Sequence, residues 1–420
     1  MKRKFQCIGL ILIISILLSS CNHPSSKSSA VASDYFSDRD FEIGYDEDES
    51  IMITLNGDSV LCDSDAVQIS QSTVTILNEG TYILSGTLND GMIIVNSEKT
   101  DKIQLVLKNA SIYSKTSAPI YILQSDKVFI TTATDSVNTL SNGGTFTAID
   151  ENNIDAVIFS KEDLTMNGSG TLMINSPAGH GIVSKDSLKV TSGSYEINCV
   201  SHALSGKDDV CIANAEFLID CGEDGIHAEN DDDAGTAYVY IQSGTFEISS
   251  GDDAIHADGT LEIADGTIGI TESYEGLEGQ HVKVNGGNIS IVASDDGINA
   301  AGGVDASGMG GKDKMRGHDQ TSSFSGSITI SGGSLDITAS GDGIDANGSV
   351  EITGGSITVC GPRQGDTATL DFDTNAVITG GTFIGTGASG MAQSFTSSEQ
   401  GVIAVKVGDR SAGTEIHNRR

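Results

Sequence analysis

Beyond about residue 150 the chain alternates apolar and polar positions in short runs, such as Leu261-Glu262-Ile263, Asn288-Ile289-Ser290-Ile291 and Ser334-Leu335-Asp336-Ile337. A period of two sends successive side chains to opposite faces, so each run predicts a half-buried strand, and no run carries a helical period. Glycine pairs at Gly286-Gly287, Gly332-Gly333, Gly354-Gly355 and Gly380-Gly381 separate the runs and predict tight corners. A second phrase recurs between them, ending in Ile182, Leu204, Ile226, Ile255, Leu277, Ile298 and Ile344. These residues are spaced by 22, 22, 29, 22, 21 and 46 positions, and the two long intervals shrink to one period if 229–235 and roughly 302–324 are inserted loops.

Two or three short strands per period, with glycine at the corners, predict an all-β fold: a single right-handed parallel β-helix with coils of about 22 residues. Coils would stack at about 4.8 Å, so equivalent Ile, Leu and Val side chains would form interior ladders. Runs such as Thr73-Val74-Thr75-Ile76-Leu77 and Ile103-Gln104-Leu105-Val106-Leu107 have the same texture, which extends the predicted domain over 51–400 and leaves 401–420 as a cap or tail.

Aligning the coils on the recurring Ile or Leu exposes candidate chemistry. Two residues earlier the column reads His180, His202, Asp224, Asp253, Glu275, Asp296, Asp342; one residue later it reads His227, His256, Glu278, Asn299, Asp345, continued by Asp371. Unit charges one coil apart repel by roughly 3–4 kcal/mol at an effective dielectric near 20, and by about 1 kcal/mol in water. Protonation, splaying into solvent or a bridging divalent cation relieves such repulsion. Asp before Gly is also an ordinary turn former that caps its own backbone. That accounts for single sites, but not for paired acids at Asp252-Asp253 and Asp295-Asp296. The oxygen-rich set favours calcium over zinc, with Asp224, Asp252, Asp253, Glu275, Glu278, Asp295, Asp296, Asp342, Asp345 and Asp371 as candidate ligands. His227 and His256 read as ligands, sugar contacts or satisfied surface residues.

Composition narrows the partners. With 58 acidic against 23 basic residues in 420, the formal charge is −35, which repels nucleic acid and anionic lipid. There is no Trp for sugar-stacking platforms. Lys2-Arg3-Lys4, an apolar run from Ile8 to Leu18 and Leu18-Ser19-Ser20-Cys21 read as an export signal over 1–20, with Cys21 as the lipidated residue of a lipoprotein; the plainer reading is a secretory signal cleaved elsewhere. Contact with the membrane is then expected through the lipid anchor only. Ser-rich 22–33 reads as a tether, within a flexible acidic linker spanning 21–50, of which 34–50 also reads as a polar cap on the first coil. Of the cysteines beyond Cys21, Cys199 and Cys221 are one period apart and read as stacked thiols, a spacing that also allows a disulfide. Nothing in the sequence signals an oligomer, so a monomer is expected.

Four phrases carry a family resemblance: Gly181-Ile182-Val183-Ser184-Lys185-Asp186, Ser273-Tyr274-Glu275-Gly276-Leu277-Glu278-Gly279, Ser294-Asp295-Asp296-Gly297-Ile298-Asn299-Ala300-Ala301-Gly302-Gly303 and Ser389-Gly390-Met391-Ala392-Gln393. The chain resembles bacterial carbohydrate-binding parallel β-helix proteins, calcium-containing relatives of family 9 pectate lyases, from about Ile51 to beyond Gln393. The resemblance implies a cell-surface binder of plant cell-wall polysaccharide, acidic pectin-type chains and cellulose, with calcium between coils. Around Lys207 this chain departs from the expected pattern, with His202, Ala203, Leu204 and Ser205 where acids and an arginine are expected.

Three function classes follow. A binder would use calcium to bridge acidic protein and acidic glycan, with Lys312, Lys314 and Arg316 of the loop after Val304 touching sugar carboxylates. A calcium-dependent lyase would need a neutral base; Lys185 and Lys207 share one register, but Asp186, Asp208 and Asp209 nearby would raise a lysine pKa. A scaffold or adhesin would use calcium for rigidity alone.

Overall fold

The strand Asn288–Ala293 shows how the alternation folds: Ile289, Ile291 and Ala293 are buried, while Asn288, Ser290 and Val292 face outward. The same alternation repeats at Glu216–Cys221 and Ser334–Ala339. The computed structural model describes residues 35–230, 232–233, 235–300, 326–363 and 367–408. Apart from a 3₁₀ turn at Asp38–Phe41, its regular structure is β-strand, running from Ile51 to Ser398 in a largely parallel, open sheet.

Pairing is regular. Ser194–Cys199 pairs with Glu216–Cys221, which pairs with Thr245–Ser250; Leu204–Gly206 pairs with Ile226–Ala228; Asp209–Ile212 pairs with Tyr238–Ile241. Each strand therefore meets the one a full repeat away, giving three parallel ladders. Identical inward positions stack: Tyr195, Phe217 and Phe246 lie ring over ring at 5.0 and 5.3 Å. One hydrophobic cluster runs from Ile53 to Ile378, so residues 51–150 share the core of the later repeats.

The opening of the sheet differs from a purely parallel arrangement. Ile51–Gly57 turns back onto Ser59–Leu61, and Val67–Ser70 onto Thr73–Ile76, both antiparallel. Connections this short permit only antiparallel return, and left-handed Gly57 (φ 67°) and Gln71 (φ 56°) make the turns.

Residues 35–50 are not the flexible linker their acidity suggests. Tyr35 stacks on Tyr240 at 3.8 Å, Phe36 is buried beside Cys211 and Ala213, and Asp40 is 1% exposed. The Asp40 carboxylate pairs with Lys127 Nζ at 2.8 Å and accepts from Thr165 Oγ1 at 2.6 Å; its carbonyl accepts from Asn167 Nδ2 at 3.0 Å and Thr191 Oγ1 at 2.7 Å. Asp40→Ala strands a mostly buried ammonium, which costs about 2 kcal/mol after allowance for partial exposure. Limited proteolysis should then cut within 35–50 before the strands; cleavage no faster than in the parent chain would refute this docking role.

Cys199 and Cys221 face one another across a ladder and are free thiols.

Candidate functional site

The corner that follows each Ser194–Cys199-type strand carries both columns. Register places Ile182, Leu204, Ile226, Ile255, Leu277, Ile298 and Ile344 on successive rungs, so the residues two before them superpose. The columns are not a solvated stripe. Asp224, Asp253, Glu275, Glu278 and His227 are all buried, at 2–9% exposure. His256 is nearly so, which removes both histidines from the class of surface residues.

The first column is a side-chain to backbone ladder. The N–H of His202 donates to His180 Nδ1 (3.2 Å), that of Asp224 to His202 Nδ1 (3.1 Å), that of Asp253 to Asp224 Oδ1 (2.9 Å) and that of Glu275 to Asp253 Oδ1 (3.1 Å). Further along, the N–H of Asp342 donates to Asp296 Oδ1 (2.5 Å) and that of Ala368 to Asp342 Oδ1. Each acid thus caps the following repeat instead of its own turn. Histidine Nδ1 and aspartate Oδ1 stand equally many bonds from the backbone, so one replaces the other. Four imidazoles stack along this edge, His180–His202–His227–His256, at 5.0, 4.0 and 5.1 Å.

The second column decides the charge balance. His227 Nδ1 lies 2.6 Å from Asp224 Oδ2 and its Nε2 3.3 Å from Glu229. His256 Nδ1 faces both Asp253 Oδ2 (3.4 Å) and Glu278 Oε2, with Nε2 3.4 Å from Asp258. Asn299 Nδ2 donates to both oxygens of Glu275 at 2.9 Å. Burial opposes charge on His227, but its hydrogen bonds to Asp224 and Glu229 outweigh it and raise the pKa to about 9. Burial likewise opposes charge on His256 and is overcome by Glu278 and the other acids around it, while Glu278 itself falls to about 2 because His256 outweighs its desolvation. Burial first, then the neighbouring Glu278 and Asp224 carboxylates, push Asp253 the other way, upward, against its hydrogen bond with His256. His180, desolvated and next to His202, drops to about 3.

At the far end the column is carried by aspartates instead of histidines. One ligand atom from each of Asp296, Asp342 and Asp345 falls within 4.8 Å of the others. Burial first, then the neighbouring carboxylates, push Asp296 up to about 8 and Asp345 to about 7. Asp371 lies beside Asp345 through the bonds Asp371 N–H to Ile344 O (2.8 Å) and Ala346 N–H to Asp371 O (3.3 Å), and accepts from Gln393. The oxygen-only trio Asp224, Asp252 and Asp253 also clusters, whereas Asp295 accepts a hydrogen bond from the Tyr274 hydroxyl at 2.5 Å.

Lys185 and Lys207 do follow paired positions. Lys185 Nζ lies 5.7 Å from the Phe159 ring centre; exposed Lys207 pairs with Asp232, whose hydrogen bond raises its pKa. A general base needs the opposite shift. Lys312, Lys314, Arg316 and Cys21 lie outside the described residues. Sequence reasoning overlooked Glu229 and Asp258, although Asp224-Gly225-Ile226-His227-Ala228-Glu229 and Asp253-Ala254-Ile255-His256-Ala257-Asp258 repeat one phrase. A shallow polar hollow of about 480 Å³ between other corners, lined by Ser243, Asp265 and Asn288, holds no such cluster.

Comparison with known proteins gives this corner its context. The family described as carbohydrate-binding domain-containing protein matches residues 70–312 and 304–409. A carbohydrate-binding domain-containing protein of Acetivibrio thermocellus is 32% identical over 242 residues, which is 57% of this chain and 83% of that protein. The polysaccharide lyase-like protein from C. thermocellum, solved as a gadolinium derivative, superposes with a TM-score of 0.51 at 31% identity, over 60% of this chain and 96% of that one. With its strand ladders, and with most of its length matched, this chain belongs to the carbohydrate-binding domain-containing protein family.

Proposed function

We propose that the protein is an exported lipoprotein, anchored through Cys21 at the bacterial cell surface, that binds acidic polysaccharide of the pectin type, with cellulose as a further ligand. Its ladders suit a single right-handed parallel β-helix, the hand that parallel crossovers almost always take. Calcium held between repeats would join an acidic glycan to a chain of formal charge −35. The observation that carries this reading is the carboxylate trio Asp296, Asp342 and Asp345, with one oxygen of each within 4.8 Å of the others. Its donors are all carboxylate oxygens, the set a hard cation takes, and Asp371 stands next to it. Those residues would hold the ion, which when bound supplies positive charge for a uronate carboxylate. The gadolinium derivative of the C. thermocellum protein supports the reading, since gadolinium is likewise a hard, oxygen-seeking cation.

Polygalacturonate titrated into the purified protein by calorimetry should give saturable heat with calcium and none with chelator, and Asp342→Asn should lose it. Sustained heat after each injection would instead mean turnover, and no heat in either condition would leave the calcium in a purely rigidifying role.

A further inference from the structure

The histidine half of the columns has a chemistry that the hard-cation trio lacks. His180 and His202 turn Nδ1 to a backbone N–H, and the outer Nε2 of His202 lies 3.5 Å from Glu223 Oε2. His256 turns Nδ1 to two carboxylates of different repeats, Asp253 Oδ2 and Glu278 Oε2, and one ligand atom from each of the three lies within 4.8 Å of the others. Its second nitrogen, Nε2, is held 3.4 Å from Asp258 Oδ1. A carboxylate on the outer nitrogen fixes the ring and its tautomer, leaving the inner nitrogen's lone pair for a cation; metal-bound histidines almost always have such a partner. The repeat before copies the arrangement, with Asp224 Oδ2 on His227 Nδ1 and Glu229 on Nε2.

We propose that Asp253, His256 and Glu278 form a binding site for a borderline divalent transition metal of the zinc class, with Asp258 as the positioning residue. Zinc takes imidazole nitrogen and carboxylate oxygen alike, and a site with three protein ligands keeps a fourth position for water or a ligand oxygen. Imidazole nitrogen discriminates against calcium, which seeks six to eight oxygens. The site stands one repeat or more from Asp296, Asp342 and Asp345, so the chain carries two metal positions of different hardness along one edge. The inference goes beyond the polysaccharide reading and survives its failure.

The test uses cobalt(II) alone as the probe, added to chelator-stripped, purified protein in excess calcium. The expected result is an intense visible d–d band that equimolar zinc removes and a roughly thousand-fold excess of calcium does not. Asp258→Asn should lower zinc affinity roughly 10–100-fold while the band keeps its position, and Glu278→Gln should abolish the band. His281→Gln, on a ring that bonds Ser327 Oγ at 2.8 Å, serves as the unaffected control. Absence of an intense band, or its removal by calcium as readily as by zinc, overturns the proposal on the parent protein, whatever the variants do. A band that persists in both Asp258→Asn and Glu278→Gln marks cobalt bound elsewhere and overturns it equally.

Discussion

In chelator, the melting temperature should fall as pH rises from 5 to 8, and calcium should restore it. Burial and like charge hold the Asp296 carboxyl at about 8 and Asp345 at about 7, against about 3.8 for the unfolded chain. A carboxyl with a raised pKa binds its proton more tightly when folded, so between those values the native state carries the extra proton and stability declines as pH climbs. Below about pH 4 the difference vanishes, because both states are protonated. At pH 8 the cost of ionising Asp296 and Asp345 is on the order of 3 kcal/mol after discounting for solvent, or roughly 5 °C in a chain of this size. Asp296→Asn should therefore stabilise the chelated protein at pH 8 yet cancel the gain from calcium. Differential scanning calorimetry at pH 5 and pH 8 reads both signs; a melting temperature flat across that range would remove the reason for a cation here. His227, held at about 9 against 6.5 in the unfolded chain, adds to the decline above about pH 6.5, whereas Asp224, shifted downward, acts only below about pH 4, so the Asp296→Asn variant is what isolates the carboxylate share.

The columns were legible in the sequence because the aligned Ile or Leu of each repeat sets the register, and the register alone decides which acids stack. The ladders of Leu204, Ile226 and Ile255 bear this out residue by residue. Illegible was the direction in which each side chain would turn. His202 and His227 differ only by column, yet His202 Nδ1 accepts the backbone N–H of Asp224 while His227 Nδ1 meets the Asp224 carboxylate at 2.6 Å. The linker reading of residues 35–50 failed for another reason. Their acidic composition resembles a linker, and their anchors, Asp40 on Thr165 and Thr191, are 125 and 151 positions distant, beyond any local signal. The opening antiparallel pairs were hidden because alternation reports a strand but not the direction of its partner.

Fold and site meet most tightly at Gly297, between Asp296 and Ile298, and Gly297→Ala should damage both. A Cβ there would stand 2.3 Å from Ile337 Cγ2 and 2.6 Å from the Gly343 carbonyl oxygen. The side chain has room only by leaving its rotamer, and the carbonyl, which accepts from the N–H of Ile298 at 3.2 Å, moves only with the next repeat. Ala203 and Ala254 occupy the same position in other repeats and are fully buried, so a methyl is admissible where the neighbouring rungs are built around it. At 297 they are not, and the expected cost is about 3 kcal/mol. Because Gly343 is itself flanked by Asp342 and followed closely by Asp345, parting the two rungs also spreads the carboxylate trio. Calcium affinity should consequently drop while far-ultraviolet circular dichroism stays unchanged, whereas Ala254→Gly, which only removes a buried methyl, should cost about 1 kcal/mol and leave calcium binding alone. Equal calcium affinities for the Gly297→Ala and parent proteins would show that the rungs flex without disturbing the acids, and would place the ion elsewhere.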